Sequence, residues 1–104
     1  MIKVSVMYPN MAAARFDHEY YRDRHMPMVK AKLAEACAYY TIDKGLAGGA
    51  PEMPAPYVAM CHVFCESVDV FQGGMALHGN AIFGDIINFT DLVPVVQVSE
   101  VVVG

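Results

Sequence analysis

The sequence predicts one α+β domain in the order strand-helix-strand-strand-helix-strand, folded as a four-stranded antiparallel sheet with both helices on one face. Three observations carry this. Four runs either alternate apolar with polar residues or are rich in β-branched and aromatic ones. Two capped stretches of helical character separate the first run from the second and the third from the fourth. A length of 104 residues suits a single core, and no stretch inside it has the composition of a linker, so residues 1–104 are read as one domain.

The first strand runs from Ile2 to Tyr8, with Ile2, Val4, Val6 and Tyr8 on one face, and Pro9-Asn10 stops it. Phe16 to Ala38 is helical: Asp17 is an N-cap, Glu19 favours the first turn, and Pro27 predicts a kink or break that pushes Met26 out of the α region. Ala38 to Leu46 (AYYTIDKGL) is the second strand, ending before Gly48-Gly49. After a proline-rich loop from Ala50 to Pro56 comes the third strand, Tyr57 to Cys65 (YVAMCHVFC), so apolar that both its faces are expected to be buried. Ser67 caps a second helix through Val68, Val70 and Phe71, weakened at Gly73-Gly74, with another helical turn from Leu77 to Phe83. Leu92 to Val102 is the fourth strand.

The chain is 56% apolar and 17% charged, against about 45–50% and 25% in ordinary domains. A domain of this size buries only about 65% of its unfolded surface alone, so the excess calls for a protein interface, and the simplest cover for the bare sheet face is a second copy, making a homodimer. No apolar run reaches the ~20 residues of a membrane span, and the first nine residues alternate instead of forming a signal peptide. Scattered Lys and Arg with a net charge of −4 argue against nucleic acid and anionic membranes. Three cysteines suit free thiols in a reducing cytoplasm.

Among residues that carry chemistry, His25 stands out in Tyr21-Arg22-Asp23-Arg24-His25-Met26-Pro27, at the end of the first helical piece and on one side with Tyr21. It reads either as a general acid or base with a tyrosine neighbour or as a cap on terminal carbonyls at a proline kink. His62 points into a buried layer and needs a partner, which Asp43, Tyr40 or Ser5 would supply. His78 either lines a pocket mouth or faces water, and His18 is expected to be exposed. Tyr39-Tyr40 put one phenol on each sheet face, one of them toward the cavity of His25. Eight methionines suit either an adaptable apolar pocket or plain core filling.

Cys61 and Cys65, roughly 13 Å apart along a strand, cannot share a metal or a disulfide. HExxH, CxxC, GxGxxG and GxxxxGK[ST] motifs are missing, which argues for no metal and no bound cofactor.

The segments FDHEYYRDRHMPMV, AYYTIDKGLAGGAP, YVAMCHVFCESVDVFQ and GDIINFTDLVPVVQVSE together resemble the EthD family, named for ethyl tert-butyl ether degradation. Its tyrosine followed by His-x-Pro is met by Tyr20, Tyr21, His25 and Pro27, and Asn88-Phe89-Thr90-Asp91 also fits. The resemblance implies the ferredoxin-like fold of a dimeric α+β barrel, and an association with the degradation of ethers or of small aromatic or carbonyl compounds.

Related barrels are cofactor-free isomerases, dehydratases or cyclases, and monooxygenases, and in some of them a helix-one histidine moves protons beside a carbonyl. The expectation is therefore a cofactor-independent proton-transfer enzyme, or, by family association, an oxidoreductase using oxygen without a bound cofactor, with His25, Tyr21 and Tyr40 as catalytic residues and Tyr20, Met28, His62 and His78 near a small apolar or aromatic metabolite. The rival is a non-catalytic accessory or binding protein serving a partner oxygenase. A closed pocket of about 300 Å³ or more reached by His25 and at least one more polar group favours catalysis or specific binding, whereas a filled core favours a structural role.

Overall fold

The computed structural model describes residues 1–104. Its strands are β1 (Ile2–Pro9), β2 (Tyr39–Lys44), β3 (Tyr57–Cys65) and β4 (Val95–Glu100), forming one open antiparallel sheet in the order β2-β3-β1-β4. The fourth strand starts later than Leu92 because Pro94, with no N–H and a fixed φ, keeps the chain from pairing until Val95, and it ends at Glu100, short of Val102.

Between β1 and β2 the chain is helical but not uniform. Asp17 accepts the Tyr20 N–H and starts a single turn, α1 (His18–Tyr20). A π-helical turn follows over Tyr21–His25, closed by the Met26 N–H on the Tyr21 carbonyl, and α2 (Met26–Leu33) continues from it. Met26 keeps α dihedrals, φ −67° and ψ −37°, contrary to the conformation expected before Pro27. The wider turn receives the proline at the start of α2, where its missing donor costs least, so the chain changes helix type without leaving the helical region.

The second crossover is one continuous helix, α3 (Val68–Gly84), capped by the Ser67 hydroxyl and not divided at Gly73-Gly74. Its longest helix being 17 residues, the chain has none long and apolar enough to cross a membrane.

The register assigns the faces. Val4, Val6 and Tyr8 of β1 lie opposite Val63, Cys61 and Ala59 of β3 on the side the helices cover. Lys3, Ser5 and Met7 lie opposite Phe64, His62 and Met60 on the open side. β3 is therefore fully buried only toward the helices: Val58, Met60, His62 and Phe64 remain half-buried, because no element of the chain covers them. β4 is an edge strand with apolar residues exposed on both faces, Val95 on the open side and Val96 and Val98 on the other.

The core is Val4, Tyr8, Tyr21, Met26, Val29, Leu33, Cys61, Val63 and Ile82, closed at one end by Phe89 and Leu92. That end is lashed across the sequence: Phe16 bridges Thr90, the Asp17 N–H donates to the Phe89 carbonyl, the Thr90 hydroxyl donates to the Arg15 carbonyl, and the Arg15 guanidinium donates to the Ile87 carbonyl. These bonds hold the segment after α3 against the segment before α1.

Candidate active site

The lashing brings Asp85, just past α3, to His25 at the end of the π-helical turn. His25 is 3% exposed, and its Nδ1 lies 2.9 Å from Asp85 Oδ2. Oδ1 of Asp85 accepts from the Tyr20 hydroxyl at 2.8 Å and from the Asn88 side-chain amide at 2.8 Å. Partial burial pushes the Asp85 carboxyl up, but the bonds from Asn88, His25 and Tyr20 outweigh it and hold the group below its ordinary value. Burial lowers His25, against the opposing pull of Asp85.

Both shifts fix one state at neutral pH: an ionised carboxylate, which can only accept, and a neutral imidazole that must donate from Nδ1. The Nε2 lone pair is then free, and His25 lines a cavity between the helices and the sheet. A neutral imidazole with a fixed tautomer and an open nitrogen is a proton acceptor ready for use.

Tyr21 completes the arrangement. Its ring stacks on that of His25 at a centroid distance of 5.5 Å and an interplanar angle of 12°, and the π-helical turn sets this pairing, since its first and last residues are these two. The Tyr21 hydroxyl is buried without a well-formed hydrogen bond, although Tyr8 and Cys61 are close enough to interact with it. Burial raises the phenol well above its ordinary value, so it is an O–H donor throughout the physiological range. A buried donor without a well-formed bond costs up to about 1–3 kcal/mol, less what the contacts with Tyr8 and Cys61 return, and an oxygen-bearing ligand would relieve the remainder. Cys61, pushed up to about 11 by burial, stays a neutral thiol.

The cavity is lined by 16 residues, 15 of them hydrophobic, including Val63, Phe71, Met75, Ile82 and Val96, with His25 the exception. Its free space is about 50 Å³, room for roughly four waters and well below the roughly 300 Å³ of an ordinary ligand site.

The other sequence-derived candidates are dispersed. Tyr20 sits on the rim and reaches the site only through Asp85. Tyr40 is on the helix side of β2, packed on the core but outside the cavity, as is Met28. His62 lies on the open sheet face, where Nδ1 meets the Ser5 hydroxyl at 2.7 Å and Nε2 meets Asp43 at 3.1 Å, two of the three partners expected. His78 is half-buried in a shallow groove between α3 and residues 32–36. His18, expected in water, is half-buried against Phe16 at 4.7 Å, because the aromatic cluster of Tyr8, Phe16, Tyr21 and Phe89 extends to the start of α1.

Asp85 had escaped the sequence reading. Its only local signal is one acidic residue in the otherwise uncharged run Ala81 to Thr90. No three His, Cys, Asp or Glu side chains converge to hold a metal ion.

Residues 9–92 match the model of the EthD domain. An EthD-like protein from Ralstonia eutropha JMP134 is 61% identical, with a TM-score of 0.95, covering 98% of this chain and 92% of that one. A protein of the ethyl tert-butyl ether degradation (EthD) family from Bacillus halodurans C-125 shares the fold at 19% identity and a TM-score of 0.73, covering 96% and 97%. HapK from Hahella chejuensis shares it more distantly, at 12% identity and a TM-score of 0.58, covering 96% and 91%. None of the curated proteins compared with the chain matches it.

Proposed function

The chain belongs to the EthD family, and from that premise we propose that it is a cofactor-independent proton-transfer enzyme acting as a homodimer on a small apolar metabolite. The observation that carries the proposal is the pairing of His25, neutral and held by Asp85 through Nδ1, with the unpartnered hydroxyl of Tyr21. In the proposed reaction Nε2 of His25 takes a proton from the substrate, the charge collects on a substrate oxygen held by the Tyr21 O–H, and His25 returns the proton to a second position. Tyr21, not Tyr40, fills the stabilising role in this scheme. The family name supports a place in the breakdown of ethers or of small aromatic or carbonyl compounds, and three free thiols support a reducing compartment such as the cytoplasm.

Homodimerisation is supported by the apolar surface a single chain leaves over. Only 17 of 104 residues are buried although 56% are apolar, and both the open sheet face and β4 carry the surplus.

The test is turnover by His25→Gln, which keeps a polar side chain of similar reach. Activity at the level of the uncatalysed reaction in a folded variant supports the proposal, and undiminished turnover overturns it. The small free volume favours a second reading, an accessory protein for a partner oxygenase, which would bind an apolar compound saturably and release it unchanged.

A further inference from the structure

We infer that α3 carries a second surface for self-association, on which Leu77 of each of two antiparallel copies enters the groove beside Gly73 of the other. The contact lies on the helix side of the sheet and adds to the homodimer proposed for the open face. A surface helix ordinarily turns charged residues to water, yet between Asp69 and Asp85 there is no Lys, Arg, Asp or Glu. Phe71, Met75 and Ile82 are the positions through which α3 packs on the core. On the opposite side Val70, Gly73, Leu77, Asn80 and Gly84 recur at spacings of three and four and are all exposed, the seam spacing of paired helices. Both sides of α3 are therefore poor in charge, and the fold covers only one.

The seam is self-complementary in shape. Leu77 is 81% exposed and stands at the edge of the groove that Gly73 and Gly74 form with residues 32–36. A Cβ at Gly73 would meet nothing within 4 Å, and the free space of about 500 Å³ in the groove admits a leucine side chain. A knob and a hole on one surface are what a twofold contact needs, because each copy offers the other the same pair.

Charge favours the same occupant and sets its direction. An uncharged seam loses its water at least cost against another uncharged surface, and α3 of a second copy supplies one. With Leu77 opposite Gly73 of the second copy, antiparallel helices set Asp69 opposite Ala81, whereas parallel helices would set Asp69 beside Asp69; opposed macrodipoles add to the preference. Lys32 and Glu35 beside the groove are exposed and opposite in sign, so they raise no net barrier to a second copy. The 17 residues of α3 make it about 25 Å long, and a strip roughly 20 Å wide, two helix diameters, buries roughly 500 Å² per copy. A total of about 1,000 Å² is the lower end of specific interfaces, so the contact forms at concentrations on the order of 100 μM and is absent at micromolar ones.

Sedimentation equilibrium of the intact chain from about 5 to 500 μM reads the contact, and Phe64→Glu, which disrupts the open face, isolates it. Phe64→Glu is expected to pass from monomer to dimer across that range, and to remain a monomer when Leu77→Glu is added. Gly73→Leu, which fills the groove without adding charge, is expected to act as Leu77→Glu does, and both should keep the wild-type melting temperature because the positions are exposed. In a mixture of ¹³C-labelled and unlabelled chains at the upper concentration, the Leu77 methyls are expected to show intermolecular contacts to the α-protons of Gly73.

Phe64→Glu staying monomeric at the upper concentration, or associating equally well with Leu77→Glu or Gly73→Leu added, overturns the inference. Wild type that remains a dimer throughout also overturns it and leaves the open-face dimer standing. Wild type that is a monomer at micromolar concentration and dimerises in a Leu77-dependent way supports it while removing the open-face dimer.

Discussion

The Nδ1 atom of His25 and the Oδ2 atom of Asp85 stand 2.9 Å apart across 60 residues of sequence. With the carboxylate ionised, this one bond decides which imidazole nitrogen faces the cavity bare. Replacing Asp85 with Asn should therefore leave a folded protein whose histidine can adopt the other tautomer. Turnover should fall by about 10²–10⁴-fold, with ligand affinity changed far less, as steady-state kinetics and direct binding would show.

Tyr21→Phe should separate stability from function. Removing a buried hydroxyl that has no partner relieves its desolvation, so thermal unfolding should show a variant as stable as wild type or up to about 1–3 kcal/mol more stable. Turnover should drop about 10–10³-fold if that hydroxyl holds the developing oxyanion. A loss of stability together with unchanged turnover would mean that the hydroxyl is structural.

The pH dependence follows from His25. Its folded-state value lies below the ordinary 6.5, so as pH falls through 6.5 the unfolded chain takes up a proton that the folded chain still refuses, and stability declines. Above that range both states are neutral and the residue contributes no slope. Denaturant titrations should show the loss beginning below about pH 6.5 and reduced in His25→Gln. For the same reason the acid limb of kcat/KM should lie below pH 6.5.

Phe64 stacks on Tyr39 at 4.3 Å on the open sheet face, the face proposed to meet a second copy. Phe64→Glu should yield a folded monomer at micromolar concentration where wild type should sediment as a dimer. Wild type sedimenting as a monomer would contradict homodimerisation.

Within α3 the adjacent glycines should respond differently. A Cβ at Gly73 meets nothing within 4 Å, whereas one at Gly74 comes within 2.8 Å of a Leu33 methyl in the core. Gly73→Ala should raise stability by about 0.5–1 kcal/mol. Gly74→Ala should not, because Leu33 must move; paired thermal melts read the difference.

Much of this fold was legible because its signals are local. Asp17 and Ser67 start helices by hydrogen bonds to backbone three residues on, and the residues of β3 alternate across the sheet as a strand requires. The prominence of His25 and Tyr21 came from four-residue spacing, which survives in the π-helical turn although the turn itself carries no sequence signature. Tyr40 was misplaced from the cavity because knowing the two faces of a strand does not say how far the helices extend across it. Asp85 stayed hidden because its role depends on bonds such as Thr90 to Arg15 and Asp17 to Phe89, which join segments more than 70 residues apart and exist only once the sheet has formed.

A neutral His25 with its free nitrogen turned to the cavity has a signature in the ¹⁵N NMR signals of its imidazole at pH 7. A protonated Nδ1 and a bare Nε2 are expected, with the signals disappearing in His25→Gln and losing their tautomer preference in Asp85→Asn. An imidazolium, or a proton on Nε2 in the wild-type protein, would contradict it.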